Sequence, residues 1–156
     1  MDGSDKAHLE SEAAAIVGHI VFALSRLEFD VGLYLRNAVG GSDVDAVNPL
    51  ISRLSFKGKI DSLREVVEHK FAGHDACVLG FRQWYIAMDG YRSKRNSFVH
   101  GRWAFHGEHA INVAPGLPNS RPQKEMRYLI SDLAIELSEV REIVASFGRW
   151  RHTWPL

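Results

Sequence analysis

Residues 81–101 read Phe81-Arg82-Gln83-Trp84-Tyr85-Ile86-Ala87-Met88-Asp89-Gly90-Tyr91-Arg92-Ser93-Lys94-Arg95-Asn96-Ser97-Phe98-Val99-His100-Gly101. Phe81, Trp84, Met88, Tyr91 and Phe98 recur at helical spacing on one face. The pattern predicts a helix that extends from about Asp75 to His100, with Gly80 leaving its first turn open to a later start. On that stripe the place between Tyr91 and Phe98 belongs to Arg95. At about 100° per residue, a guanidinium there lies near the middle of the apolar face. It cannot shed its proton, so it must find an acceptor, reach solvent at an edge or lie in a polar pocket. A snorkelling or salt-bridged arginine meets that need as well as a functional one does. His100 and Gly101 suit a helix end, where the dipole favours an imidazole and glycine is the usual residue just beyond.

Working outward, Ile16, Ile20, Ala23, Leu27, Val31 and Tyr34, widened by Val17, Leu24 and Leu35, predict a first helix from about Glu10 to Val39. Gly40-Gly41 stops it. Gly18 and Gly32 inside it each cost about 1 kcal/mol against alanine, and close helix packing is their plainest explanation. Residues 40–53 read as a loop with Asn48-Pro49 as a breaker. Ser55 is a candidate N-cap for a second helix, Phe56 to about Ala72, with the stripe Phe56, Ile60, Leu63 and Val67. Beyond His100, Arg102–His106 and His109–Val113 alternate around Gly107-Glu108 and predict a β-hairpin. Residues 114–121 read as a loop rich in proline and glycine. A fourth helix starts between Lys124 and Ser131, carries Leu133, Leu137, Val140, Val144 and Phe147, and ends at Gly148. These elements predict an all-α four-helix up-down bundle with a short hairpin between its third and fourth helices. It would occupy residues 10–148, flanked by a disordered start (1–9) and a basic, aromatic tail (149–156).

Composition bounds the function classes. The 156 residues are 46% hydrophobic and 24% charged, enough for one core without disulfides or a structural metal. Nineteen Lys and Arg balance nineteen Asp and Glu, which argues against non-specific coating of nucleic acid and removes one barrier to self-association. Cys77 is the lone cysteine, consistent with a reducing compartment. The start is polar and acidic rather than signal-like, and the most apolar stretch, Ala13 to Leu24, is too short to span a bilayer. The expectation is a cytoplasmic protein with no membrane partner.

Arg95-Asn96-Ser97-Phe98-Val99-His100 resembles the Arg-polar-x-x-x-His signature of HEPN domains, the higher-eukaryote and prokaryote nucleotide-binding helical bundles. The order of parts is similar too, with a long first helix, a shorter second, the signature at the end of the third and a further helix after it. The Gly101-Arg102-Trp103 continuation resembles a bacterial subset with a His-Gly-x-Trp run. The specific motif covers about six residues; the architectural likeness covers most of the chain.

The resemblance implies a metal-independent endoribonuclease that works as a homodimer, without a cofactor. It extends to toxins and phage-defence effectors, with an antitoxin or another protein as partner. The implied catalytic residues are Arg95, Asn96 and His100. The RNA 2′-hydroxyl attacks the neighbouring phosphate while His100 moves protons. Arg95 braces the phosphorane charge through its planar donors, and Asn96 orients His100, its i+4 neighbour, or binds phosphate. DNA, lacking the 2′-OH, is excluded. Arg92, Lys94 and Arg102 surround the motif and can guide RNA phosphates, or form a solvated helix face. Arg95 and His100 stand about 140° apart on an ideal helix. Either the helix unwinds over Val99–Gly101, or two copies share the site across a two-fold axis.

Two other readings stay open: an HEPN-like module that binds RNA, nucleotide or protein without cleavage, and a structural oligomerisation bundle with Arg95 paired to Glu28 or Asp30. His106 and His109 meet across the hairpin but two histidines make no metal site. Cys77 reads as a buried structural thiol. The Arg149–Trp154 segment suits either nucleic-acid stacking or a packed terminus.

Overall fold

The computed structural model of the chain describes residues 3–117 and 122–156. Its elements are α1 (Gly3–Val39), a 3-10 turn (Val44–Val47), α2 (Asn48–Ser52), α3 (Phe56–Lys70), α4 (Asp75–His100), β1 (Arg102–His106), β2 (His109–Val113), β3 (Glu125–Tyr128) and α5 (Ile130–Thr153). Several follow directly from local chemistry. Ser55 caps α3, its hydroxyl accepting from Gly58 N at 3.1 Å. Phe56, Ile60, Leu63 and Val67 are its buried stripe. The Asp132 carboxylate reaches back to Leu129 N at 2.8 Å and holds the start of α5. Gly107 takes φ +57° in the hairpin turn, a conformation glycine adopts without strain.

The expected four-helix up-down bundle does not hold. Five α-helices and a three-stranded antiparallel sheet are present among the described residues. Pro49, read as a breaker, instead sits at the start of α2, where its missing N–H is no loss. The hairpin is extended by β3, so the strand order is β1-β2-β3 and both edges of β2 are paired. The register sets His106 opposite His109, Trp103 opposite Asn112, and Asn112 in turn opposite Met126. Of the loop expected over 114–121, residues 118–121 lie outside the described residues, as do residues 1 and 2 of the expected disordered start. α1 begins well before the expected Glu10, and α5 continues past Gly148 to Thr153.

The chain divides into two compact units, residues 1–23 with 90–141 and residues 24–89 with 142–156. α1, α4 and α5 each contribute to both. The second unit has an aromatic centre. Phe81 lies 5.3 Å from Trp84 and 5.0 Å from Trp150, and Trp84 lies 4.7 Å from Phe147, centroid to centroid. Both indoles are satisfied, Trp84 Nε1 donating to Ile143 O at 3.1 Å and Trp150 Nε1 to Cys77 O at 3.0 Å. Trp150 is thus a core residue, and residues 149–153 carry α5 onward. Cys77 is fully buried, and burial pushes its thiol up, away from the reactive thiolate. The first unit buries Ala13, Ile20, Tyr91, Phe98, Ala110, Tyr128, Leu133 and Val140. No helix of the described residues is long and apolar enough to cross a membrane.

The joint at the end of helix α4 as candidate functional site

The run singled out in the sequence lies in the first unit, where α4 turns into β1. α4 stays α-helical through His100, and Gly101 N still donates to Ser97 O at 2.8 Å. The alternative in which the helix unwinds over Val99–Gly101 is therefore overturned. The turn is held by β2. Asn112, a buried polar side chain at 1% exposure, donates through Nδ2 to Ser97 O at 3.0 Å and accepts from Ser97 Oγ at 2.5 Å. Trp103 Nε1 donates to Phe98 O at 3.2 Å. The Trp103 bond satisfies a carbonyl that a helix end leaves without a partner, and Asn112 adds a second donor to Ser97 O, which already accepts from Gly101 N. Rings close the joint from inside, Phe98 lying 5.6 Å from Trp103 and 5.7 Å from Tyr128.

Gly101 is explained by space rather than by a left-handed backbone. Its φ is not positive. A Cβ there would meet Ser97 O at 2.3 Å, Val113 O at 2.6 Å and Asn112 Nδ2 at 2.8 Å. Only glycine lets β2 approach the last turn of α4 this closely. Ser97, Phe98, Gly101 and Trp103 therefore form the joint, and Arg95, Asn96 and His100 are displayed on it.

Phe98 and Tyr91 mark the buried side of the helix. Arg95, at the edge of that side, is half-buried, and one of its guanidinium nitrogens lies 3.4 Å from Asn96 Oδ1. Arg92, Asn96 and His100 follow one another at four-residue steps along the outward face, from half-buried Arg92 and Asn96 to exposed His100. Because α4 is regular, Arg95 and His100 leave it about 140° apart, so a single chain does not bring both to one phosphate. Asn96 lies between them in azimuth, about 100° from Arg95 and 40° from His100.

The flanking cations differ. Lys94 Nζ lies 3.0 and 3.1 Å from the two Glu136 oxygens and 3.7 Å from Glu139. Burial alone would lower its ammonium, but Glu136 and then Glu139 hold it above the ordinary lysine value. Its charge is met by these two carboxylates of α5. Beside it, burial and then the Glu136 charge raise the Tyr91 phenol far above its usual value; the Tyr91 hydroxyl is buried without a hydrogen-bond partner among the described residues. Arg102 is exposed on β1 and donates to Gln123 Oε1.

Glu28 bonds Lys59 Nζ at 2.9 Å, and Asp30 lies 3.6 Å from Arg151. His106 and His109 do stand opposite each other in the β1–β2 register. Among the described residues no three His, Cys, Asp or Glu side chains gather at metal-binding spacing. The other strongly perturbed cluster, in the second unit, is a matched ion network. Lys57 Nζ lies 2.8 Å from Asp61 and from Tyr85 Oη and 3.2 Å from Asp89. The hydrogen bonds to Asp61 and Tyr85 hold Lys57 protonated.

Comparisons with protein-family models, with curated proteins and with solved structures found no match.

Asn112 is the residue of this site that the motif reading missed. A signal for it was present: in His109-Ala110-Ile111-Asn112-Val113 it shares the parity of Ala110, so the alternation puts an amide on the covered face of the sheet. Glu136 and Glu139 carried no comparable signal, because charges at helical spacing on α5 read as a solvated face.

Proposed function

We propose that the chain is a metal-independent endoribonuclease whose catalytic groups are Arg95, Asn96 and His100 of two copies, brought together across a two-fold axis. The observation that carries this reading is the display of the three side chains on the last two turns of a regular helix whose end is fixed by Asn112, Gly101 and Trp103. A fixed helix end limits the reorganisation needed to hold reacting groups in place. The separation of Arg95 and His100 about the helix calls for a second copy, in which His100 of one chain faces Arg95 of the other.

In that cleft one His100 takes the proton of the RNA 2′-hydroxyl. The 2′-oxygen bonds to phosphorus, the P–O5′ bond breaks, and the departing 5′-oxygen takes a proton from water, to which His100 in turn gives up the proton it gained. The products are a 2′,3′-cyclic phosphate and a 5′-hydroxyl. Arg95 faces the equatorial oxygens, where charge accumulates, and Asn96 positions His100 or donates to phosphate. Arg102, exposed on β1, extends the cationic surface, and Lys94, paired with Glu136 and Glu139, is left out. The likeness of Arg95–His100 to the HEPN signature supports the assignment. The test is cleavage of RNA by purified protein in excess EDTA, read by the cyclic-phosphate end group. Cleavage that survives in Arg95→Ala or His100→Ala sinks it.

Binding without cleavage is the second reading, favoured by the separation of Arg95 from His100 within one chain. It predicts retained, intact RNA, with affinity that falls steeply with salt.

A further inference from the structure

In the first unit an apolar pocket of about 350 Å³ opens between α1, the end of α4 and β1, within the ~300–1,000 Å³ range of small-molecule sites. On the α1 side it is lined by small residues, Ala14 and Gly18. Phe98, Trp103 and Phe105 supply aromatic rings on the other side, and Glu10 is the one charged residue of the lining.

Two observations point to a ligand. The first is Gly18. Glycine is the poorest helix former after proline, and close packing does not require it here: a Cβ on Gly18 would meet no atom within 4 Å. Its effect is to leave open the space a side chain would take. The second is Glu10. Its carboxylate is exposed at the rim, makes no hydrogen bond or ion pair among the described residues, and has no Lys, Arg or His beside it in the pocket lining. A ring-lined cavity with a solvated carboxylate at its rim favours an apolar body carrying a positive charge over an anion, by the modest amount of an exposed ion pair.

We propose that this pocket binds a small molecule with an aromatic body and one ammonium group. The ring packs against Trp103 and Phe105, in the space left by Gly18, and the ammonium meets Glu10. This site is independent of RNA cleavage and would stand if that activity were absent.

Three probes with one ring and different charge test it: phenethylamine, 2-phenylethanol and phenylacetate, each titrated into the isotope-labelled full chain and followed by amide chemical shifts. Phenethylamine is expected to shift amides around Glu10–Gly18 and Phe98–Phe105 and to bind about fivefold more tightly than 2-phenylethanol, the scale of one exposed ion pair. Phenylacetate is expected to be weakest. Glu10→Gln should erase the preference while leaving 2-phenylethanol unchanged. Gly18→Leu should fill the space, abolish binding of all three and raise Tm, because leucine is the better helix former. Phenylacetate binding as tightly as phenethylamine overturns the proposal, as do shifts that map elsewhere, no shift with phenethylamine, or undiminished binding to Gly18→Leu.

Discussion

Gly101→Ala is the sharpest perturbation of the joint that displays the candidate site. The added methyl would stand 2.3 Å from Ser97 O, 2.6 Å from Val113 O and 2.8 Å from Asn112 Nδ2. Two of those atoms are backbone, so either β2 or the last turn of α4 must move. Overpacking of this kind costs about 1–3 kcal/mol. Displacing Asn112 also loosens its bonds to Ser97 at 3.0 and 2.5 Å, and an unsatisfied buried amide costs a further ~1–3 kcal/mol. A total of about 2–6 kcal/mol, at roughly 2–4 °C per kcal/mol for a chain of this size, lowers Tm by roughly 4–24 °C. Gly90→Ala is the control on the same helix. A Cβ there meets nothing within 4 Å, so alanine's better helix propensity should stabilise by up to about 1 kcal/mol. Thermal melts followed by circular dichroism compare the two. If Gly101→Ala melts at or above the parent temperature, the close approach of β2 to α4 is wrong, and with it the fixed helix end.

Trp150→Ala should cost about 3–5 kcal/mol in chemical denaturation, because the indole is buried, bonds Cys77 O at 3.0 Å and packs on Phe81; a surface-like effect below about 0.5 kcal/mol would mean that residues 149–153 are a tail after all. His100→Ala should change stability by no more than about 0.5 kcal/mol, since the side chain is exposed, so any lost activity reports on chemistry. For Lys94→Met the sign follows from its raised pKa. The folded value lies above the unfolded one near ~10.4, so the stabilisation is complete below that pH and lost as pH rises through the folded value. The side chain is 40% exposed, which limits the cost at pH 7 to about 1 kcal/mol. Urea midpoints should separate parent and variant at pH 7 and converge only above about pH 10.5; an unchanged gap there contradicts the Glu136 pairing.

What the sequence made legible tracks where a residue's partners lie. The α3 cap at Ser55, the bounds of α4 and the pairing of His106 with His109 rest on neighbours a few residues away, and periodicity reports those. β3 rests on a distant partner. Glu125-Met126-Arg127-Tyr128 buries only Tyr128, and its stability comes from hydrogen bonds to β2, which leave no trace in side-chain pattern. Gly148 misled for a different reason. Its helix penalty of about 1 kcal/mol is outweighed by burial of Phe147 and Trp150 on either side, and the arginines between the aromatic residues disguise a continuing stripe. At the site, Arg95, Asn96 and His100 were readable as a motif. Whether their faces converge was not, because that depends on α4 remaining helical through His100, which the lock from Asn112 and Trp103 secures.

Mixing two inactive variants tests the shared site most directly. Arg95→Ala and His100→Ala proteins, each purified alone, are exchanged under mild denaturation and assayed on RNA in EDTA beside the parent. A heterodimer of the two keeps one Arg95 and one His100 on opposite chains, so the account predicts that each variant is silent alone and that the mixture regains cleavage with a 2′,3′-cyclic phosphate end. A mixture that stays silent while the parent cleaves would contradict a site built from two copies of this helix end.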